Sequence, residues 1–176
     1  IVLKSDKEQS VKRRHPWIFS GAIKEISSSI KEGEIVRVVD NNKNFLALGH
    51  YQHGTIAVRI LSFDDVEINY NFWEKRFIEA FDLRKTIGLI NNDNTNVYRL
   101  VHGEGDYLPG LIVDIYDSTA VFQFHSLGMY AHKSIFVDIL KNLYGQKISS
   151  IYNKSESTLP VKPDQRPKNE YLIGKP

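Results

Sequence analysis

The sequence predicts two small domains in series, an all-β unit followed by an α+β unit, with one helix joining them. Three observations lead there. The chain has 176 residues, more than one average small domain needs and enough for two. Its first seventy residues alternate short apolar runs with turn residues and leave little room for a long helix. Near residue 71 the apolar period then changes from two to about 3.6, and both periods recur further on.

Each element follows from its local pattern. Ile35–Val39 and Phe45–Leu48 flank the turn-rich Asp40-Asn-Asn-Lys-Asn44 and read as a hairpin. In Thr55–Leu61 a period of two puts Ile56, Val58 and Ile60 on one face and Ala57, Arg59 and Leu61 on the other. Several short strands at this spacing form a closed or nearly closed β-structure over residues 1–70. From Asn71, a plausible N-cap, Trp73, Phe77, Ala80, Phe81 and Ile87 make a helical stripe ending near Gly88, so 71–90 is expected as a linker helix. Asn91–Asn96 is polar throughout and reads as a surface loop. Strands follow at Val97–Val101, Leu111–Tyr116 and Thr119–Phe124. Ser126 then caps one long helix carrying Ile135, Phe136, Ile139, Leu140 and Leu143, with Gly145 past its end and a final strand at Ile148–Tyr152. Strands before and after one helix make residues 91–153 an α+β layer. Residues 154–176 hold four of the six prolines without periodicity and read as a linker.

Composition narrows the chemistry. The chain has no cysteine, which removes disulfides, thiolate zinc sites and cysteine nucleophiles. No apolar run approaches the roughly 18–20 residues that cross a bilayer, and Ile1–Ser10 carries four charges where an export signal has an apolar core, so a soluble cytoplasmic protein is expected. The net charge of +2 hides an asymmetry. Ile1–Lys24 holds six Lys/Arg against two acids, leaving the remainder at −2. A basic end suggests an anionic partner, nucleic acid being the commonest.

Within that end, Lys12-Arg-Arg-His-Pro-Trp-Ile-Phe-Ser-Gly21 turns from basic residues into aromatic ones. Lys12, Arg13 and Arg14 are candidates for phosphate contacts, with His15, Tyr51 and Arg59 as weaker ones, while Trp17, Ile18 and Phe19 are expected in the core. The run Arg14–Ala22, Gly49-His-Tyr51 and the strand bearing Arg59 resemble the N-terminal PUA domain of the class I ribosomal RNA large-subunit methyltransferases. Tyr98-Arg-Leu-Val-His-Gly-Glu-Gly-Asp-Tyr-Leu-Pro-Gly-Leu-Ile-Val-Asp-Ile-Tyr116 is similar to the signature of that family's middle α+β domain. The resemblance runs from Ile1 to about Tyr152. It implies a PUA-like β pseudo-barrel that binds ribosomal RNA, in a parent enzyme that transfers methyl from S-adenosylmethionine to cytosine C5. In that family the cofactor loop and the catalytic cysteine lie on a Rossmann-type domain after the middle one. Cytosine C5 becomes nucleophilic only after a thiolate adds to C6, and this chain has none to offer. The expectation is therefore a recognition portion with no catalytic residue and no cofactor of its own, partnered by a catalytic domain on the same polypeptide. A homodimer is compatible with all of this. Lys154 stands where the family usually carries arginine.

The remaining motifs are weaker. In His102-Gly-Glu-Gly-Asp-Tyr-Leu-Pro-Gly110 the glycines precede a strand rather than a helix N-terminus, and Glu104 and Asp106 would repel phosphate. A structured loop is expected, its carboxylates bonding backbone amides or Arg99, with Arg99, Glu104 and Asp106 offered to the catalytic domain. Glu104, Asp106 and Asp114 could also be imagined as an acid/base pair, or with His102 as a metal site, but nothing in the sequence makes them converge. The pair His50 and His53 lacks a third ligand, so no metal is expected. Asn153-Lys-Ser155 matches a glycosylation acceptor by coincidence. The main rival is a stand-alone RNA-binding adaptor without enzymatic activity, and a small hydrolase using the acidic loop comes third.

Overall fold

Period-two patterning in the first seventy residues resolves into six short strands. The computed structural model describes residues 1–175. Its first compact unit, Ile1–Glu67, contains β1 (Val2–Leu3), α1 (Gln9–Lys12), β2 (Trp17–Phe19), β3 (Ile23–Glu25), β4 (Ile35–Val39), β5 (Phe45–Tyr51) and β6 (Ile56–Ser62). The strands form one curled sheet, a half-barrel, in the order β2-β6-β5-β4-β1-β3, and only the β1–β4 pair is parallel. The expected hairpin is β4–β5. Asp40 closes its turn by accepting the backbone N–H groups of Asn42 and Asn44 at 2.8 and 2.9 Å, which is why a turn of polar residues suffices there.

One face of the sheet holds the core: Leu3, Val11, Ile18, Val36, Val38, Ala47, Val58 and Ile60, all buried. Val11 brings the short helix α1 onto this face. Gly49 sits in register between Val36 and Ile60. A Cβ at that position would lie 2.5 Å from the Arg59 carbonyl oxygen and 2.6 Å from Val58 Cγ1. Glycine is what lets β5 and β6 approach there.

The second unit, Ile68–Pro176, contains α2 (Tyr70–Thr86), β7 (Val97–His102), β8 (Leu111–Tyr116), β9 (Thr119–Phe124), α3 (Leu127–Ala131), α4 (Lys133–Tyr144), β10 (Ser150–Asn153) and β11 (Glu170–Ile173). Its sheet runs β11-β10-β9-β8-β7, with β9–β10 parallel and the other pairs antiparallel. Phe136 of α4 is the hub of the core, its ring 5.3 Å from Trp73, 5.4 Å from Phe77 and 6.3 Å from Phe124. Two α2 residues and one β9 residue thus meet on one α4 residue, and helices and sheet share a single apolar layer.

Several details differ from the sequence reading. The helix expected as a linker is built into the second unit, because its stripe of Trp73, Phe77 and Ala80 packs inside it. Its N-cap is Asn69, whose side chain accepts the Phe72 N–H at 3.1 Å, two residues before the expected Asn71. Ile87 is 60% exposed because the helix ends at Thr86, and Arg84 takes the next place on the buried stripe. Residues 154–176, expected as a linker, contribute β11, in which Ile173 pairs with Ile151 and the Tyr171 ring lies 4.8 Å from Tyr152. The helix after Ser126 is also divided. Ser126 caps α3 through the Met129 N–H, and the chain turns at His132 before α4.

His132 lies edge-on to Trp73 at 5.0 Å, and burial holds its imidazole pKa below the ordinary value of 6.5. The unfolded chain then binds more protons than the folded one as pH falls through that window, so stability is full above about pH 6.5 and declines below it. Replacing His132 with glutamine is expected to flatten that part of the stability profile. Urea titrations between pH 5 and 8 check it, and a variant profile that parallels the parent's would reassign the acid sensitivity to other groups.

Candidate functional site

The basic run lies at the end of α1, and its backbone explains the position of each side chain. Arg13 is the C-cap, Arg14 adopts the left-handed conformation with φ 61°, and their neighbours close a paired cap. Arg14 N–H donates to the Val11 carbonyl at 2.8 Å and His15 N–H to the Ser10 carbonyl at 3.0 Å. Glycine is the residue that adopts this geometry without steric cost. Arginine occupies it here, with its guanidinium 5.4 Å from the centre of the Phe63 ring. Lys12 reaches Glu8 at 3.4 Å, an exposed pair one helical turn apart that leaves its charge available. Arg13 is exposed and has no ion-pair partner among the described residues.

From Arg14 the chain passes through His15 onto β2, the edge strand of the sheet. Alternation puts Ile18 into the core and His15, Trp17 and Phe19 on the opposite side. This corrects the expectation that all three β2 residues are core: only Ile18 is, Trp17 is half-buried, and Phe19 is 44% exposed. The three rings form a cluster, with centroids 6.0 Å apart for His15–Trp17 and His15–Phe19 and 6.4 Å for Trp17–Phe19. Trp17 N–H donates to His15 Nδ1 at 3.2 Å, which fixes the imidazole beside the strand.

Register decides which other candidates join them. Trp17 pairs with Arg59, and Arg59 with His50, so Arg59 shares the outer face with the rings. Tyr51 pairs with Val58 and leans on the core, which places it on the other face. There it lines a concavity with Lys24, Gln52 and His53. The structure therefore brings together His15 and Arg59, continues them through the basic turn Lys12–Arg14, and sets Tyr51 apart.

In the second unit the glycine-containing loop is a structural knot. Gly103–Asp106 makes one 3₁₀ turn, Tyr107 is left-handed, and Leu108 is fully buried. Asp106 forms a buried bidentate pair with Arg84 Nη1 and Nη2, and also accepts the His102 N–H at 2.6 Å. Arg84 Nε donates to the Arg99 carbonyl at 2.9 Å. Asp106 is thus withdrawn from the docking surface expected of it, and its work is to hold the loop. Arg99 turns the other way, giving Asp114 bonds of 2.7 and 3.1 Å, so its carboxylate partner is on β8 and not in the loop. It remains half-exposed and borders a shallow hollow with Val97, Tyr98, His102, Asp114 and Tyr116. Glu104 is partly exposed at the loop's start.

Other sequence motifs dissolve on inspection. Asn153 and Ser155 are fully buried and bonded to each other at 2.6 Å, which removes the glycosylation reading. His50 is buried in β5 while His53 lies in the exposed turn after it, and among the described residues no three metal-ligating side chains gather. Among the same residues no helix is long and apolar enough to cross a membrane.

Comparison with known proteins agrees with this architecture. A family model described as "PUA-like domain" matches residues 1–63, the span of the curled sheet. Residues 1–63 fold as a PUA-like domain. Along its length the chain is 34% identical to ribosomal RNA large subunit methyltransferase I of Pseudoalteromonas translucida, over 99% of this chain and 43% of that protein. The enzyme of the same name from Escherichia coli is 35% identical over 89% of the chain and 39% of its own length. The chain is thus homologous to part of these methyltransferases and spans less than half of their length. Two solved structures of putative methyltransferases share the fold of the PUA-like domain and of the unit after it. One, from Streptococcus mutans and described as SAM-dependent, has a TM-score of 0.80 at 19% identity, and the other, SMU.776 complexed with SAH, has 0.82 at 18%. Each covers 100% of this chain and 43% of its own.

The buried role of Arg84 and the outward face of Trp17 and Phe19 escaped the sequence reading, though each left a signal. Arg84 follows Trp73, Phe77 and Ala80 at helical spacing, so a charge on that stripe marks a buried pair. His15, Trp17 and Phe19 alternate with Ile18, the pattern of a strand with only one face in the core.

Proposed function

We propose that this chain is the RNA-recognition portion of an S-adenosylmethionine-dependent ribosomal RNA methyltransferase of the cytosine-C5 type, acting in the cytoplasm. The PUA-like domain contacts ribosomal RNA, and a catalytic domain of the same polypeptide performs the transfer. The observation that carries this reading is the cap at the end of α1. It holds Arg14 in a conformation unfavourable for arginine and presents Lys12, Arg13 and Arg14 in one turn. Homology over 99% of the chain to a ribosomal RNA methyltransferase supports the choice of RNA as the anion.

The residues present do not fit the cofactor. Phosphate and nucleotide cradles set glycine N–H groups at a helix N-terminus, whereas Gly103 and Gly105 lie in a 3₁₀ turn that leads to β8, with Asp106 already committed to Arg84. Methyl transfer is therefore assigned outside these residues. Arg99 and Glu104 are the groups of the second unit offered to the catalytic domain.

Changing Arg13 and Arg14 together to alanine is expected to weaken binding to a ribosomal RNA fragment. It should also flatten the slope of log affinity against log salt by about 0.7 to 0.9 for each phosphate that is no longer neutralised. Fluorescence anisotropy over a salt series reads both quantities. An unchanged affinity and slope would return the two arginines to a solvated arm with no partner.

A further inference from the structure

The concavity beside Tyr51 holds a polar group that the fold leaves unserved. It lies between the β2–β3 connection, with Ser20, Lys24 and Ile26, and the turn from β5 to β6, with Gln52 and Thr55. Its volume of about 730 Å³ falls inside the roughly 300–1,000 Å³ of small-molecule sites. Gln52 lines it and is 6% exposed, yet its side chain makes no hydrogen bond among the described residues, and Oε1 is buried. Buried polar atoms are nearly always partnered, so an orphan in the wall of a cavity points to a group that arrives from outside. The terminal torsion of glutamine is soft, and the amide can turn to meet that group.

The surroundings specify what it is. Ile23 and Ile26 supply apolar wall, and Tyr51 a half-buried ring. Lys24 bonds the neutral Asn41 and keeps its positive charge. Both sides of the cavity are held in place, since Ser20 N–H donates to the Thr55 carbonyl at 2.9 Å and His53 N–H to Glu32 Oε1 at 2.7 Å. A flat ring with a donor beside an acceptor on its edge, carried on an anionic chain, suits walls, amide and lysine together. Glutamine matches the edge of adenine in this way, its Oε1 accepting from the N6 amine while its N–H donates to the neighbouring ring nitrogen.

We propose that this cavity takes one unpaired adenine of the bound RNA and reads its edge through Gln52. This rests on the RNA-recognition reading and adds a base preference to it. A base in a duplex stays in its stack, so only an unpaired one can enter. Ser20 follows Arg14 by six positions and lies at most about 22 Å from it. A short single-stranded segment therefore reaches the basic turn and the cavity together.

The test uses the whole chain and labelled single-stranded decamers of adenosine, uridine and purine riboside, the last an adenosine without its amine, followed by fluorescence anisotropy. The parent is expected to bind the adenosine decamer about 10-fold more tightly than either of the others. Gln52→Met keeps the length of the side chain and drops its amide. It should bind all three decamers alike, at an unchanged salt slope, because no charge is lost. A role confined to folding would instead weaken all three by the same factor and keep the preference. The comparison of adenosine with purine riboside alters the RNA alone, so it decides the matter even where the variant fails to fold.

Equal affinity of the parent for the three decamers, still weakened in the Arg13/Arg14 double variant, overturns the adenine site and leaves RNA recognition standing. A preference for adenosine that survives Gln52→Met overturns the assignment to Gln52. Free adenosine that binds as tightly as its decamer overturns RNA as the source and names a nucleoside instead. A parent chain that binds no decamer removes the functional reading itself.

Discussion

Replacing Arg84 with alanine lowers the stability of the second unit by about 3–5 kcal/mol, the cost of leaving a buried carboxylate without its partner. The side chains of Arg84 and Asp106 are 9% and 5% exposed, so water cannot stand in for the missing guanidinium. The loss spreads along the chain, because Arg84 also bonds the Arg99 carbonyl and Asp106 the His102 N–H. With the pair gone, β7 and the loop after it lose their polar tie to α2 at the same time. Urea unfolding followed through Trp73, buried about three α2 turns from Arg84, reports the effect in a Trp17→Phe background. The double variant Arg84→Met, Asp106→Leu is expected to recover part of the loss, since two apolar side chains need no compensation. Recovery stops short of the parent because the two backbone groups remain without partners. A single-variant loss below about 1 kcal/mol would mean that the pair behaves like an exposed one.

Gly49→Ala is expected to cost about 3 kcal/mol in the PUA-like domain, at the upper end for overpacking. The added methyl meets Val58 Cγ1 at 2.6 Å, which can rotate or be trimmed, and the Arg59 carbonyl at 2.5 Å, which cannot move without opening the β5–β6 ladder. The backbone clash therefore decides the outcome. Adding Val58→Ala should restore little, and the new cavity would offset even that. Gly21→Ala is the control, since a Cβ there meets nothing within 4 Å. Trp17 fluorescence in a Trp73→Phe background follows the thermal unfolding of this domain. Equal midpoints for the two alanine variants would show that the strands yield more readily than their register suggests.

How much of this was readable beforehand depends on the kind of information each element carries. The β4–β5 hairpin, β8, β9 and the stripe of α4 are encoded locally, in turn residues and apolar period, and the structure places them as the patterns imply. The Tyr98–Tyr116 signature likewise pointed to the right architecture. Partnership across the fold was not local. Asp106 was expected to bond backbone amides or Arg99; it does accept the His102 N–H, but its charged partner, Arg84, comes from a helix 22 residues earlier. β11 lacks a strong strand period and exists because β10 offers it an edge. Trp17 and Phe19 were misread for a different reason. Large aromatics are usually buried in small domains, and that general tendency outweighed the alternation around Ile18. Tyr51 and Arg59 looked equivalent in sequence, and only the pairing of β5 with β6 separates their faces.

The closing of the second sheet by β11 also sets an order of events during synthesis. Every strand of the PUA-like domain lies within the first 67 residues, so that sheet can be completed as soon as they leave the ribosome. The other sheet lacks its edge until Ile173 has emerged, roughly 100 residues later, a delay of about 5–20 s at ordinary elongation rates. For that interval a nascent chain presents the basic turn and its rings on a finished surface, while the portion after it is still waiting for its last strand.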